Sequence, residues 1–300
     1  MAMIHRLWLA MLTHNTSNAG TDDETVLIVN TGGSRDRVHH TFYDSAQRDQ
    51  EKGEANLYDF PTSFLESDDL NASSVRVGIR GDDTWRPENL FVWAETDGPI
   101  IPLAIVTDIT KDLSTDPGPE KVSPHPALSI PITRARVGSE TTGLDELLML
   151  MTTADTKYAG TDSKIELQVS AGGALAVNFE FPLTPQQDQE RAQANWYFVP
   201  VNNPLTKADI TNVSLRIKGE DKWTPENFFL FGFDTRGDIR PFSMVPLVHE
   251  REWTHGSMST DSPKEGESSV TLDLVVSPPP TPPSLPTAPT QLTQGSADPN

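Results

Sequence analysis

The sequence predicts an all-β protein: two tandem antiparallel β-sandwich domains followed by a Pro-rich C-terminal tail. Three observations carry that expectation. One long pattern occurs twice, most of each copy consists of short alternating runs cut by turn residues, and helical periodicity is nearly absent.

The repeat has three markers in the same order. AGTD stands at 19–22 and again at 159–162, DQEKGEAN at 49–56 matches DQERAQAN at 188–195, and GDDTWRPENLF at 81–91 matches GEDKWTPENFF at 219–229. The separations are 140 (Asp22 to Asp162), 139 (Asp49 to Asp188) and 138 (Gly81 to Gly219). Near-constant spacing over three markers makes the chain a duplication, with domains at 1–140 and 141–276 and a tail at 277–300.

In chain order, residues 5–12 and 146–152 open the copies as strands, with Leu7, Leu9 and Met11 opposite Leu147, Met149 and Met151. The stretch 142–151 also carries a helical hint (TTGLDELLML) that competes with a direct run into the strand. Each AGTD loop follows, its glycine expected to supply the positive φ of a tight turn. The runs 25–30 and 164–170 alternate, and Gly32-Gly33 and Gly172-Gly173 are turn signals after them. Further strands are expected at 39–43 and 176–181, 56–60 and 195–200, 75–79 and 213–217, 90–93 and 228–231, 102–106 and 242–248, and 130–137 and 270–276. Seven to eight short strands per copy, with turns at regular intervals, describe a sandwich. Beyond Ser277 the chain reads SPPPTPPSLPTAPTQLTQGSADPN, which cannot build a core and is expected to be extended or disordered.

Composition excludes several classes. A formal charge of −20 repels phosphate backbones, so nucleic acid is not expected as a partner, and direct attraction to anionic lipid is disfavoured. With no cysteine there are no disulfides, thiolate zinc sites or cysteine nucleophiles. The N-terminal apolar run is about six residues, short of the ~7–15 of a signal core, and it recurs inside the chain. No apolar run approaches the ~20 residues of a membrane span. The compartment is open, with the cytoplasm favoured. No G-x-S-x-G elbow, HExxH or Gly-rich phosphate loop is present, so the chain is not expected to be an enzyme. His39 and His40 are neighbours on a strand and would face opposite sides. Sequons at Asn15, Asn71 and Asn212 bear on the argument only in a secreted chain.

The order of strand, AGTD, alternating strand, E-(K/R) segment and Trp motif leading into a strand resembles the PLAT (lipoxygenase-homology) β-sandwich family. The residues are NAGTDDETVLIV (18–29), QEKGEANLYDF (50–60) and TWRPENLFVW (84–93), then YAGTDSKIELQV (158–169), QERAQANWYFV (189–199) and KWTPENFFLF (222–231). The resemblance covers most of both copies. The family's Trp-Phe-Leu-Asp is Trp-Arg-Pro-Glu at 85–88 and Trp-Thr-Pro-Glu at 223–226, so the proline must shift the strand start.

Acids beside the glycine turns suit oxygen ligation of Ca²⁺, which takes six to eight oxygens. The resemblance implies that Asp22 with Asp83, and Asp162 with Asp221, are the calcium ligands, with carbonyls from Gly20 and Gly160. The plainer alternative is that these acids are solvated or accept backbone N–H groups in turns. Trp85, Trp223 and Tyr158 are the candidate binding aromatics, though a Trp repeated at a fixed position is more often packed in its own fold. Asp49, Glu51 and Lys52, with Asp188, Glu190 and Arg191, read as surface ion pairs. The expected function is non-catalytic: a binding or adaptor protein for a protein partner or a lipid surface. The alternative is a structural subunit of a larger assembly, or of self-assembly, with the tail strapping a neighbour.

Overall fold

A computed structural model describes residues 2–30, 37–42, 50–66, 70, 75–80, 83–110, 112–114, 127–130, 138–182, 189–234, 243–260 and 266–275. The expectations for the 277–300 tail, for Asp49 and Asp188, and for Gly32-Gly33 and Asn71 lie outside these residues. The protein is all-β, and the described residues include a 3₁₀ turn at Lys207–Asp209. No helix among the described residues is long and apolar enough to cross a membrane.

The first copy holds β1 (Met3–Thr13), β2 (Glu24–Asn30), β3 (Arg37–Phe42), β4 (Ala55–Glu66), β5 (Val75–Arg80), β6 (Thr84–Trp85), β7 (Pro87–Thr96), β8 (Ile100–Val106), β9 (Leu113–Ser114) and β10 (Ala127–Ile130). The second holds β11 (Gly143–Thr153), β12 (Lys164–Ala171), β13 (Ala174–Glu180), β14 (Ala194–Thr206), β15 (Ile210–Lys218), β16 (Pro225–Phe233), β17 (Met244–Glu250) and β18 (Ser269–Leu272). The strand expected over 130–137 is found at Ala127–Ile130, and 131–137 lie outside the described residues. Both motif prolines, Pro87 and Pro225, sit at the first residue of a strand, where a missing N–H is tolerated.

Strand order repeats with the sequence. One sheet of the first copy runs β10-β5-β2-β3, and its counterpart runs β18-β15-β12-β13. The partner sheets run β4-β1-β7-β8 and β14-β11-β16-β17. Leu7, Leu9, Met11, Leu90 and Val92 meet Leu27, Val75, Val77 and Ile79 in the first core, which includes Trp85. Leu147, Met149, Met151, Phe228 and Leu230 meet Ile165, Leu167, Val213 and Leu215 in the second, which includes Trp223. Gly172 (φ 57) and Gly173 (φ 84) turn β12 into β13 with the two positive φ values of a tight hairpin.

A third core joins the copies. Trp8, Ala10, Leu57, Phe91 and Trp93 pack against Leu148, Leu150, Trp196, Phe229, Phe231 and Phe233. Trp8 stacks on Trp93 with ring centroids 5.6 Å apart, and Phe229 meets both rings edge-on at 4.8 and 5.2 Å. The two central sheets therefore stack face to face and touch at one bridge, Ala55 against Ala194. The molecule is four sheets deep, and its central strands are buried on both faces.

Both-sided burial explains the helical hint at 142–151. That stretch is β11, and a bulge between Leu144 and Glu146 adds a residue, so Leu144 and Leu147 face the same core at helix-like spacing. The same bulge falls between Ile4 and Arg6 in β1.

Candidate functional site

Two regions gather the singled-out residues: the AGTD loop ends and the seam between the copies. At each loop end the positive φ belongs to the residue two before the glycine, Asn18 (φ 60) or Tyr158 (φ 65). Gly20 and Gly160 serve close approach instead. A Cβ on either would lie 2.9 Å from the backbone oxygen of Gln50 or Gln189. The contact is held by Thr21 N–H donating to the Gln50 carbonyl at 3.2 Å and Thr161 N–H to that of Gln189 at 3.1 Å.

The segment read as surface ion pairs has a buried centre. Gln50 and Gln189 lie inside, donating side-chain N–H to the hydroxyls of Tyr58 (2.6 Å) and Tyr197 (3.1 Å). A glutamine repeated 30 residues after Gly20 and 29 after Gly160 was the available signal. The charged flank behaves as expected where described, with Arg191 paired to Asp155 on the surface at 2.6 Å.

Trp85 and Trp223 are 0% exposed. Each indole N–H donates at 3.0 Å to a strand threonine, Thr13 or Thr153. As folded they present no surface to a partner or membrane, because the ring is the plug of each sandwich. Tyr158 is the opposite case. It is 76% exposed, with the Lys157 ammonium 4.6 Å above its ring.

The acids staple turns. Asp23, rather than Asp22, reaches the Trp loop, accepting Asp83 N–H at 2.8 Å. In the second copy the direction reverses: Asp221 accepts Asp162 N–H at 3.1 Å with one oxygen and Lys222 N–H at 2.8 Å with the other. Asp162 and Asp221 are thus adjacent, whereas Asp22 is exposed and Asp23 takes the bonding role. Among the described residues no three His, Asp or Glu side chains converge on a common point. Each oxygen of Asp221 accepts one backbone N–H, so turn closure accounts for the hydrogen bonds seen at this carboxylate, and each oxygen keeps a further lone pair.

At the seam, Trp8 donates its indole N–H to Glu95 at 2.7 Å, and Trp93 donates to His249 Nε2 at 3.3 Å. Glu95 lies 3.7 Å from His249 and 3.4 Å from Arg251, both in the other copy. Burial pushes the His249 imidazole down to about 4, against the opposing pull of Glu95.

The seam opens into two clefts at corresponding positions of the duplication. One, about 300 Å³, is polar and lined by Arg6, Asp59, Glu226, Asn227, Arg251 and Glu252. The other, about 570 Å³, is aromatic and lined by Ile105, Phe179, Trp196, Tyr197, Phe198 and Phe233, with Glu88, Asp108 and Glu146 beside them. Where the first has Arg6, Leu57 and Asp59, the second has Glu146, Trp196 and Phe198. Burial raises the Glu146 carboxyl above its ordinary range, and neighbouring Asp145 adds to the shift. Trp196 is buried, and its indole N–H meets no acceptor among the described residues. Neither cleft was anticipated, since each takes residues from both copies.

No family model and no curated protein matches the chain. Among solved structures it is similar to the alpha toxin from Clostridium absonum, at 23% identity over 47% of this chain, with a TM-score of 0.34. The match spans 35% of the toxin chain.

Proposed function

We propose that this chain is a non-catalytic binding protein, two PLAT-like sandwiches fused back to back, which takes an extended segment of a protein partner in the aromatic cleft at the seam. The observation that carries this reading is the divergence of the two clefts. One framework, used twice, holds charged side chains in one cleft and Trp196, Tyr197, Phe198 and Phe233 in the other. A volume near 570 Å³ and a wall shared between aromatic side chains and polar groups such as Glu88, Asp108 and Glu146 suit a binding site for a segment with both apolar and polar parts. PLAT kinship rests on the order of the repeated motifs and on the sandwich they build.

A lipid surface is the weaker partner. The loop ends offer it Tyr158, capped by Lys157, while Trp85 and Trp223 are interior. The net charge of −20 adds long-range repulsion from anionic headgroups.

The test is a peptide array of extended segments read by fluorescence anisotropy on the full chain and on Phe198→Asp. Binding lost in the variant is the expected result. No binders, or binders indifferent to Phe198, would remove the cleft from the reading.

A further inference from the structure

The aromatic cleft is also the one whose charge is left uncompensated. Three carboxylates line it, Glu88 and Asp108 from the first copy and Glu146 from the second, and no Lys, Arg or His stands among the described residues of its walls. The polar cleft is built the other way. There Arg6 pairs with Asp59, and Arg251 lies 3.4 Å from Glu95. The strand position after the bulge holds Arg6 in the first copy and Glu146 in the second, so the charge is reversed between the clefts.

Backbone pairing brings the acids in from both copies. Asp108 N–H donates to the Asn89 side-chain oxygen at 3.2 Å and Ile109 N–H to the Glu88 carbonyl at 3.0 Å, which sets Glu88 beside Asp108. Glu146 pairs with Phe233 across β11 and β16, in the other copy. The same cleft presents Ile105, Phe179 and Phe198, each half-buried and so open to a ligand. Phe198 is held edge-on against Trp196 and Phe233, with ring centroids 5.8 and 6.2 Å away.

Burial and neighbouring Asp145 both push the Glu146 carboxyl upward, so its negative charge is costly until a cation arrives. A Lys or Arg side chain meets that need, its head against carboxylates and its stem along aromatic faces. An acidic segment meets three like charges there, and a chain of net charge −20 on approach.

We propose that the segment taken by the aromatic cleft is basic and apolar by turns, with Lys or Arg set against Glu88, Asp108 and Glu146 and aromatic or aliphatic side chains against Ile105, Phe179 and Phe198. The inference rests on reading the cleft as a binding site, and it names the class of segment that site selects.

The probes are short, labelled peptides that alternate Lys with Phe, Glu with Phe, or Lys with Ser, titrated with the full chain and read by fluorescence anisotropy. The Lys–Phe peptide should bind about tenfold more tightly than either other. Glu146→Arg, a side chain the first copy already carries at this strand position, should reverse the order of the Lys–Phe and Glu–Phe peptides. Glu146→Gln should weaken Lys–Phe binding several-fold. Glu220→Gln, which removes the same charge from an exposed loop, should leave it unchanged. Equal losses in these two variants overturn the proposal, by showing that only net charge is read. A Lys–Ser peptide that binds as well as Lys–Phe also overturns it, as does a Lys–Phe peptide that does not bind. Phe198→Asp separates the two ideas, because it adds a carboxylate while removing the ring. Lys–Phe and Glu–Phe peptides that bind equally, and both weaken in Phe198→Asp, sink the cation and keep the cleft. Lys–Phe binding indifferent to Phe198 sinks the cleft, and the cation with it.

Discussion

Trp93 donates its indole N–H to His249 across the seam, from the first copy to the second. The bond needs an unprotonated Nε2, and burial supplies it by holding the folded imidazole down to about 4. Unfolded, the ring titrates near 6.5. Between those values the unfolded chain binds the extra proton, so stability falls as pH drops through that window and levels off below it. A shift of that size corresponds to about 3 kcal/mol. Urea melts at pH 7 and pH 4.5 should show the loss in the native chain. His249→Gln, which keeps an acceptor but does not titrate, should flatten the dependence across the window. A chain whose slope is unchanged by His249→Gln would show that another group sets it.

The seam should be structural for both copies at once. Phe231 is buried against Phe91 and Trp93, with ring centroids 4.9 and 5.5 Å away. Phe231→Ala should cost about 3–5 kcal/mol, the range for deleting a buried aromatic ring. Differential scanning calorimetry is the readout. A single transition in the native chain should move down in the variant, or split as the copies uncouple.

Backbone conformation gives a prediction of opposite sign. Ala192 has φ 62, and its counterpart in the first copy, Gly53, has φ 75. Ala192→Gly should stabilise by about 0.5–1 kcal/mol, since an L-residue is strained there. Gly160→Ala should destabilise by about 1–3 kcal/mol, because the new Cβ meets the Gln189 carbonyl at 2.9 Å. Thermal melts of the two variants should move in opposite directions.

Calcium should leave the loop ends unmoved. Asp221 is occupied by two backbone N–H groups. Asp221→Ala should lose about 1–2 kcal/mol equally with millimolar calcium and with chelator. A melting temperature that rises with calcium in the native chain and not in Asp221→Ala would favour the metal reading instead.

What the sequence revealed follows from how many faces of each strand are buried. Lys164–Val169 alternates because β12 has one sandwich face and one outer face, so its strand character was legible. β1, β7, β11 and β16 read instead as near-continuous apolar runs, such as Leu147–Met151 and Phe228–Phe231. Continuous runs are the mark of strands covered on both sides, and here they record the face-to-face seam. The duplication was plain, but the clefts were not, because Phe198 and Ile105 come from different copies and no local pattern joins them. Trp85 and Trp223 were visible as repeated residues. Their burial was the expected alternative, and their threonine acceptors, Thr13 and Thr153, lie about 70 residues upstream.

The bridge of Ala55 to Ala194 pairs a residue with its own counterpart, as happens at the axis of a homodimer. A homodimer must present every groove twice and bind two equivalents of any ligand. Tethering the halves in one polypeptide makes their association independent of dilution and releases each groove from copying the other. The expected stoichiometry is therefore one extended segment per chain, at an interface that cannot dissociate to discard it.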